Sequence, residues 1–146
     1  MKVDENTEDL DFYVANLWET NAKVWIKLHE EGYNVGRDHF YTPKFISLLP
    51  SIEGLVGVDI GCGDGYCTNE LLVKKPKKIF GIDICKTLVE SAQKYERDDS
   101  DELEFIVGNA LNMPFEDDFA DFAVSFFSMQ DIPRYHQIVS EVYRIL

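Results

Sequence analysis

The stretch Val58-Asp59-Ile60-Gly61-Cys62-Gly63-Asp64-Gly65 decides the fold of this chain. An apolar run from Leu55 to Ile60 leads into three glycines at alternate positions, and an amphipathic stretch follows. That order predicts a buried strand, a tight turn and the start of a helix. Glycine has no Cβ to hinder φ > 0 or to keep a ligand away from the backbone. The helix N-terminus that follows presents N–H groups without intrahelical partners. A dinucleotide-binding turn reads G-x-G-x-x-G. Its third glycine would fall on Tyr66 counted from Gly61, or on Thr68 counted from Gly63, so neither frame fits. The pattern here is G-x-G-x-G behind an acid, Asp59.

Three segments downstream carry the reading further. The run Ile79-Phe80-Gly81-Ile82-Asp83-Ile84 ends in an acid 18 residues after Gly65. An acidic side chain at the end of a second α/β strand can accept hydrogen bonds from both hydroxyls of a ribose. The same residue type is also an ordinary helix cap. Next come Phe105-Ile106-Val107-Gly108-Asn109-Ala110-Leu111-Asn112-Met113-Pro114-Phe115 and then Asp121-Phe122-Ala123-Val124-Ser125-Phe126-Phe127-Ser128, followed by Met129-Gln130-Asp131-Ile132-Pro133.

In order and spacing these four segments resemble the class I S-adenosylmethionine-dependent methyltransferases of the small-molecule, type 11-like kind, from about Phe45 to Leu146. The resemblance implies that Asp59, Gly61, Cys62, Gly63 and Gly65 wrap the methionine and ribose of S-adenosylmethionine, and that Asp83 takes the ribose hydroxyls. Ile84 and Leu111 would face each other across an adenine slot. Asn109, with Ala110 beside it, stands where the family usually has Asp; its carbonyl can still accept from the adenine amino group, without charge. Phe126 would offer its backbone carbonyl to the methionine ammonium. The reaction implied is methyl transfer from sulfonium sulfur to an N, O, C or S nucleophile of a small-molecule acceptor, leaving S-adenosylhomocysteine. The protein then supplies proximity, alignment and sometimes a base. Gln130-Asp131 stands where many relatives carry His-His. Asp131 is the candidate catalytic base; its other reading is a cap or a surface acid beside a helix starting at Pro133.

Composition agrees with one globular domain: 146 residues, 45% apolar and 13% aromatic. No stretch of eighteen apolar residues occurs, and the acidic N-terminus lacks a signal-peptide core. Cys62, Cys67 and Cys85 form no C-x-x-C pair and no zinc spacing, which predicts free thiols in a reducing cytoplasm and no metal site. Cys62 reads as small packing in the turn. The net charge of −13, with acids at 4–11, 98–104 and 116–121, argues against nucleic acid, because a phosphate backbone needs a cationic face. The one basic cluster, Lys74-Lys75-Pro76-Lys77-Lys78, is a helix-to-strand turn at the far end of the sheet, where lysines suit a helix C-terminus.

Three regions follow: an acidic tail at 1–9, an N-terminal helical lid at 10–50, and the cofactor-binding part at 51–146. Val14, Trp18, Asn21, Trp25 and Leu28 recur at steps of four and three and share a helix face, with Gly32 and Gly36 ending it. Thr42-Pro43 reads as the N-cap and first position of a second helix, which Pro50 stops. A Trp stripe is core or lid. In the family such helices often cover the cofactor, so Trp25 enters the candidate site. Arg37 either lies free on the surface or pairs with the methionine carboxylate.

The remaining elements alternate as in an α/β protein. Short helices are expected over 66–73, over a face of Leu88, Val89, Ala92 and Tyr95, and over a face of Ile138, Val139, Val142 and Leu146. The fold expected is α/β, a Rossmann-like open parallel sheet with N-terminal lid helices. Right-handed crossovers place the glycine turn, Asp83, Asn109 and Phe126 at the carboxyl ends of the strands, where open sheets bind ligands. The family's sheet is ordered 3-2-1-4-5-7-6, so strands 5–7 are missing here. Strand four, 122–127, would be an apolar edge, which proteins avoid exposing. Either the chain is a fragment, or a partner covers that edge, with self-association one way. Two other functions stay open: a non-catalytic cofactor-binding or regulatory remnant, and a nucleotide-dependent oxidoreductase.

Overall fold

The computed structural model describes residues 7–97 and 100–146. Four parallel strands form one sheet in the order β3-β2-β1-β4: β1 Val56–Ile60, β2 Lys78–Asp83, β3 Leu103–Val107 and β4 Phe122–Val124. This matches the first four positions of the expected sheet. β1 is central and its last four residues are buried, as an apolar run covered on both faces should be. Strand β4 is shorter than expected. Its ladder to β1 runs only from Gly57↔Phe122 to Asp59↔Val124. Phe127 then turns to φ +55, a left-handed conformation that a bulky residue rarely adopts, and carries the chain away from the sheet.

Among the described residues five α-helices complete the fold: α1 Thr7–Glu30, α2 Thr42–Leu48, α3 Tyr66–Glu70, α4 Lys86–Ala92 and α5 Tyr135–Ile145. One sheet face packs Leu71, Val89 and Ala92 against Ile79, Phe105 and Val124. The other packs Ile138 and Ile145 against Val58, Ile60 and Ile82. On α5, Val139 and Leu146 are exposed; the inward face is Ile138, Val142 and Ile145.

The lid region departs from its sequence reading in four places. Among the described residues helix α1 already runs from Thr7, inside the stretch read as a tail; residues 1–6 of that stretch lie outside the described residues, as do 98 and 99 of the second acidic run. The inward face of α1 is rotated relative to the expected one. Ala22 is fully buried and packs with Cys85 and Leu88, flanked by Trp18 and Ile26, while Asn21 and Leu28 face solvent. The small Ala22 side chain lets α1 approach α4 closely, and that approach sets the rotation. Gly32, at φ +74, ends α1: its N–H reaches the His29 carbonyl and that of Tyr33 the Leu28 carbonyl, each at 3.0 Å. Gly36 is helical and ends nothing.

Thr42 is not an N-cap. It continues a helical path through a π turn, Arg37–Tyr41, with its N–H on the Arg37 carbonyl. Proline lacks an N–H and its ring crowds the carbonyl four residues back, so a widened turn just before Pro43 accommodates it without ending the helix. At the other end, Leu49 is extended at ψ 142, as a residue preceding proline should be.

Candidate functional site

The strand register builds the site. Ile60 of β1 lies opposite Ile82 of β2, so the turn after β1 begins beside Asp83. The Gly61 and Cys62 N–H groups both donate to the Ile82 carbonyl, at 2.8 and 3.2 Å. Gly61, Gly63 and Gly65 all have positive φ, at 72°, 55° and 77°. Their roles differ. A Cβ on Gly61 would overlap Ser128, and one on Gly65 would come within 2.7 Å of Ala92 and 2.9 Å of Phe105. A Cβ on Gly63 would meet nothing within 4 Å. Gly61 and Gly65 therefore pack the turn into the protein, while Gly63 faces open space.

Asp83 closes this turn from the next strand. Its Oδ2 accepts from the Gly63 N–H and its Oδ1 from the Cys85 N–H, both at 2.9 Å. Each carboxylate oxygen keeps a lone pair for a further donor. Burial holds the Asp83 carboxyl above the usual range, against the opposing pull of these backbone N–H groups.

Above the turn lies a cavity of about 500 Å³, within the range of small-molecule sites. Its floor is Gly61–Asp64 with Asp83, Ile84 and Leu88; its roof is Val14, Trp18 and Trp25 of α1 with Asn34, Arg37 and Tyr41. Phe126–Ser128 and Gln130–Ile132 form a third wall. Polar contacts that fasten the roof include three beside the cavity. Asp11 pairs with Arg134. Glu19 accepts from the Thr87 hydroxyl and N–H and from the Cys85 thiol, at the N-terminus of α4, where a carboxylate opposes the helix dipole. His29 pairs with Asp64 of the glycine turn.

At this last point Arg37 joins the cluster. Its Nε donates to Asp38 at 2.8 Å and its guanidinium lies 4.1 Å from the centre of the Tyr66 ring. Burial pushes the Asp64 carboxyl up, but the hydrogen bond from His29 and the charge of Arg37 outweigh it and hold it below the usual range. Arg37 is the one cationic side chain lining the cavity among the described residues.

The cavity brings together Gly61, Cys62, Gly63, Asp83, Ile84, Phe126, Arg37, Trp25 and Asp131 of the residues expected from the sequence. Arg37 is not the free surface residue of the other reading. Asp131 is exposed on the cavity wall, and no cap to α5 forms there, since that helix starts at Tyr135 without a side-chain cap. Five expected residues lie outside the lining. Gly65 packs on Ala92 and Phe105. Asn109 turns its carbonyl to the Leu111 N–H at 2.9 Å, while Ala110 and Leu111 pack against the core face beneath α5. Asp59 is buried under the turn, where it accepts from the Thr68 hydroxyl at 2.6 Å.

That burial pushes the Asp59 carboxyl up to about 6, against the Thr68 bond and with help from the Asp83 charge. The native state then holds a proton that the unfolded chain has lost. The stabilising contribution is full below the ordinary carboxylate range and disappears as pH rises through about 6. Asp59→Asn keeps an acceptor for Thr68 and removes this dependence. Thermal melts should show the wild type losing Tm relative to the variant between about pH 4 and about pH 6; parallel curves would contradict it.

Sequence reasoning missed His29, Asp64, Tyr41, Phe127 and Ser128. Two signals were available: Asp64 is an acid inside the glycine turn, and His29 follows Trp25 by four residues on one helix face. The three thiols are free. Burial raises all three, Cys85 to about 12, so none is a ready thiolate nucleophile. Among the described residues no helix is long and apolar enough to cross a membrane.

The family model described as "Methyltransferase domain" matches residues 58–146. Demethylmenaquinone methyltransferases of Lactococcus lactis and Oceanobacillus iheyensis are each 28% identical, over 129 and 96 residues; these cover 86% and 64% of this chain and 48% and 40% of theirs. The chain thus spans about half the length, or less, of these relatives. Among solved structures, a chain of the Haloferax volcanii complex between the Trm112 methyltransferase activator and a methyltransferase is 29% identical, with a TM-score of 0.71 over 88% of this chain and 55% of its own. A Methanococcus maripaludis chain assigned to the S-adenosyl-L-methionine-dependent methyltransferases is 26% identical, with a TM-score of 0.69 over 88% and 58%. The cofactor that family and neighbours imply is S-adenosylmethionine, and the chain belongs to the methyltransferase-domain family.

Proposed function

We propose that this chain binds S-adenosylmethionine on the glycine turn and transfers its methyl group to a small, apolar, non-anionic acceptor. The observation that carries the reading is Gly63 open beneath a cavity and tied to Asp83. A ligand can approach the Gly63 backbone directly, and the spare lone pairs of Asp83 suit a vicinal diol. Asp64 and Asp83 give this end a negative potential, which suits a ligand bearing sulfonium and ammonium charges. Arg37 supplies the single counter-charge for a carboxylate. When bound, the cofactor supplies a methyl group already activated for nucleophilic attack; the protein's share is to align the acceptor and exclude water.

The wall past β4 is the acceptor side of this reading. Phe126, Phe127 and Ile132 line it beside Tyr41, whose ring centre lies 5.5 Å from that of Phe127. Its polar groups include Ser128, Gln130 and Asp131, and it has no cation. An anionic acceptor would lose its hydration there without a partner. An apolar ring of the kind named for the demethylmenaquinone relatives suits these walls. Asp131 is the base proposed to take the acceptor's proton. Transfer of labelled methyl from S-adenosylmethionine to a reduced demethylnaphthoquinone tests the reading. Saturable cofactor binding with no transfer to this or other neutral ring acceptors would favour the alternative, cofactor binding without catalysis.

Trp18 and Trp25 are the only tryptophans, their rings are edge-on at 5.6 Å, and both line the roof. Intrinsic tryptophan fluorescence therefore reports on the roof alone. It should change in parallel with S-adenosylhomocysteine binding; constant fluorescence during calorimetric saturation would remove α1 from the site.

A further inference from the structure

His29 sits in the last turn of α1, where it meets the glycine turn and Arg37 together. Asn34 Nδ2 lies 2.9 Å from His29 Nε2, so that ring nitrogen accepts and Nδ1 carries the proton, which it donates to Asp64 Oδ2. Trp25 holds the ring from the side, with centres 4.5 Å apart. Arg37 Nη1 lies 2.7 Å from that protonated Nδ1, a donor facing a donor, and its nearest carboxylate oxygen is Asp64 Oδ1 at 3.5 Å. Nε is committed to Asp38, and Nη2 has no protein partner among the described residues. The guanidinium is therefore held in direction by Asp38 and the Tyr66 ring, yet its hydrogen-bonding capacity is not used up.

We infer that His29 is a positioning residue: by occupying Asp64 Oδ2 it leaves Arg37 under-bonded and aimed into the cavity, ready for a ligand carboxylate. Without His29, Asp64 is free to take Arg37 in a two-point ion pair, the geometry that carboxylate and guanidinium favour. Arg37 would then be saturated by the protein and turned from the ligand. Because His29 belongs to the roof helix and Asp64 to the floor, closure of the roof and readiness of the carboxylate site become one event. This rests on the reading of the cavity as an S-adenosylmethionine site.

The test compares two ligands that share the adenosine and differ at the carboxylate: S-adenosylhomocysteine and 5′-methylthioadenosine, titrated calorimetrically into the chain. His29→Leu should weaken S-adenosylhomocysteine roughly tenfold or more, as expected for loss of a charge-assisted contact, and leave 5′-methylthioadenosine within about twofold. His29→Asn, which keeps an N–H near the Nδ1 position, should restore most of the loss. In an Arg37→Met background, His29→Leu should cost nothing further, because it acts through Arg37. If His29→Leu fails to fold, His29→Gln, whose amide reaches past the Nδ1 position, replaces it in the same comparison. Equal weakening of both ligands, unchanged S-adenosylhomocysteine affinity, or full additivity with Arg37→Met would overturn the inference. A wild-type chain that binds neither ligand would refute the cofactor site itself. One that binds both equally would leave the site and refute the carboxylate contact.

Discussion

Gly63→Val is expected to abolish S-adenosylhomocysteine binding in a chain that still folds, whereas Gly65→Val should prevent folding. Both positions have φ near the left-handed region, 55° and 77°, so both substitutions carry a backbone cost of about 1–2 kcal/mol. The difference lies in what the new side chain meets. At Gly65 it runs into Ala92 and the Phe105 ring, at 2.7 and 2.9 Å from Cβ alone, in the centre of the core face behind β1 and β2. Overpacking there adds typically ~1–3 kcal/mol, which together with the φ cost is a large share of a small domain's stability. At Gly63 the side chain projects into open space, and that space is the cavity. Circular dichroism and calorimetry on the two variants separate the outcomes. Wild-type affinity in Gly63→Val would refute the turn as the cofactor's seat.

Asp83→Ala is the second large effect. It should weaken S-adenosylhomocysteine by ~1.5–3 kcal/mol, the range for hydrogen bonds to charged groups. It should also lower stability, because the Gly63 and Cys85 N–H groups both lose their acceptor. Asp83→Asn keeps one acceptor oxygen and should fall between on both measures. Unchanged affinity in a folded Asp83→Ala chain would remove Asp83 from the site.

The parts legible in the sequence are those fixed by local backbone demands. Three alternate glycines between an apolar run and an amphipathic one mark a tight turn, because glycine takes positive φ without a steric cost, and all three adopt it. Apolar runs ending in Ile60 and Asp83 are parallel neighbours in the sheet, as strands covered on both faces should be. What the sequence hid depends on packing between distant elements. The rotation of α1 follows from how closely Ala22 can approach α4, and no periodicity in α1 alone decides it. Thr42-Pro43 carries the pattern of a helix start, but a π turn upstream absorbs the proline. Asp59 and Asp83 look alike as strand-end acids. Asp83 is the last residue of β2 and borders the cavity, whereas Asp59 sits one residue inside β1 and points into the core under Thr68. The His29–Asp64–Arg37 cluster joins residues 35 and 27 positions apart, a distance at which chain order carries no signal.

The central claim is that the glycine turn, Asp83 and the α1 roof form a site for S-adenosylmethionine and not for a dinucleotide. Calorimetric titration of the chain with S-adenosylhomocysteine and, separately, with NAD tests it most directly. Saturable one-to-one binding of S-adenosylhomocysteine, with no heat from NAD at the same concentrations, is the predicted result. Binding of NAD with none of S-adenosylhomocysteine would contradict it.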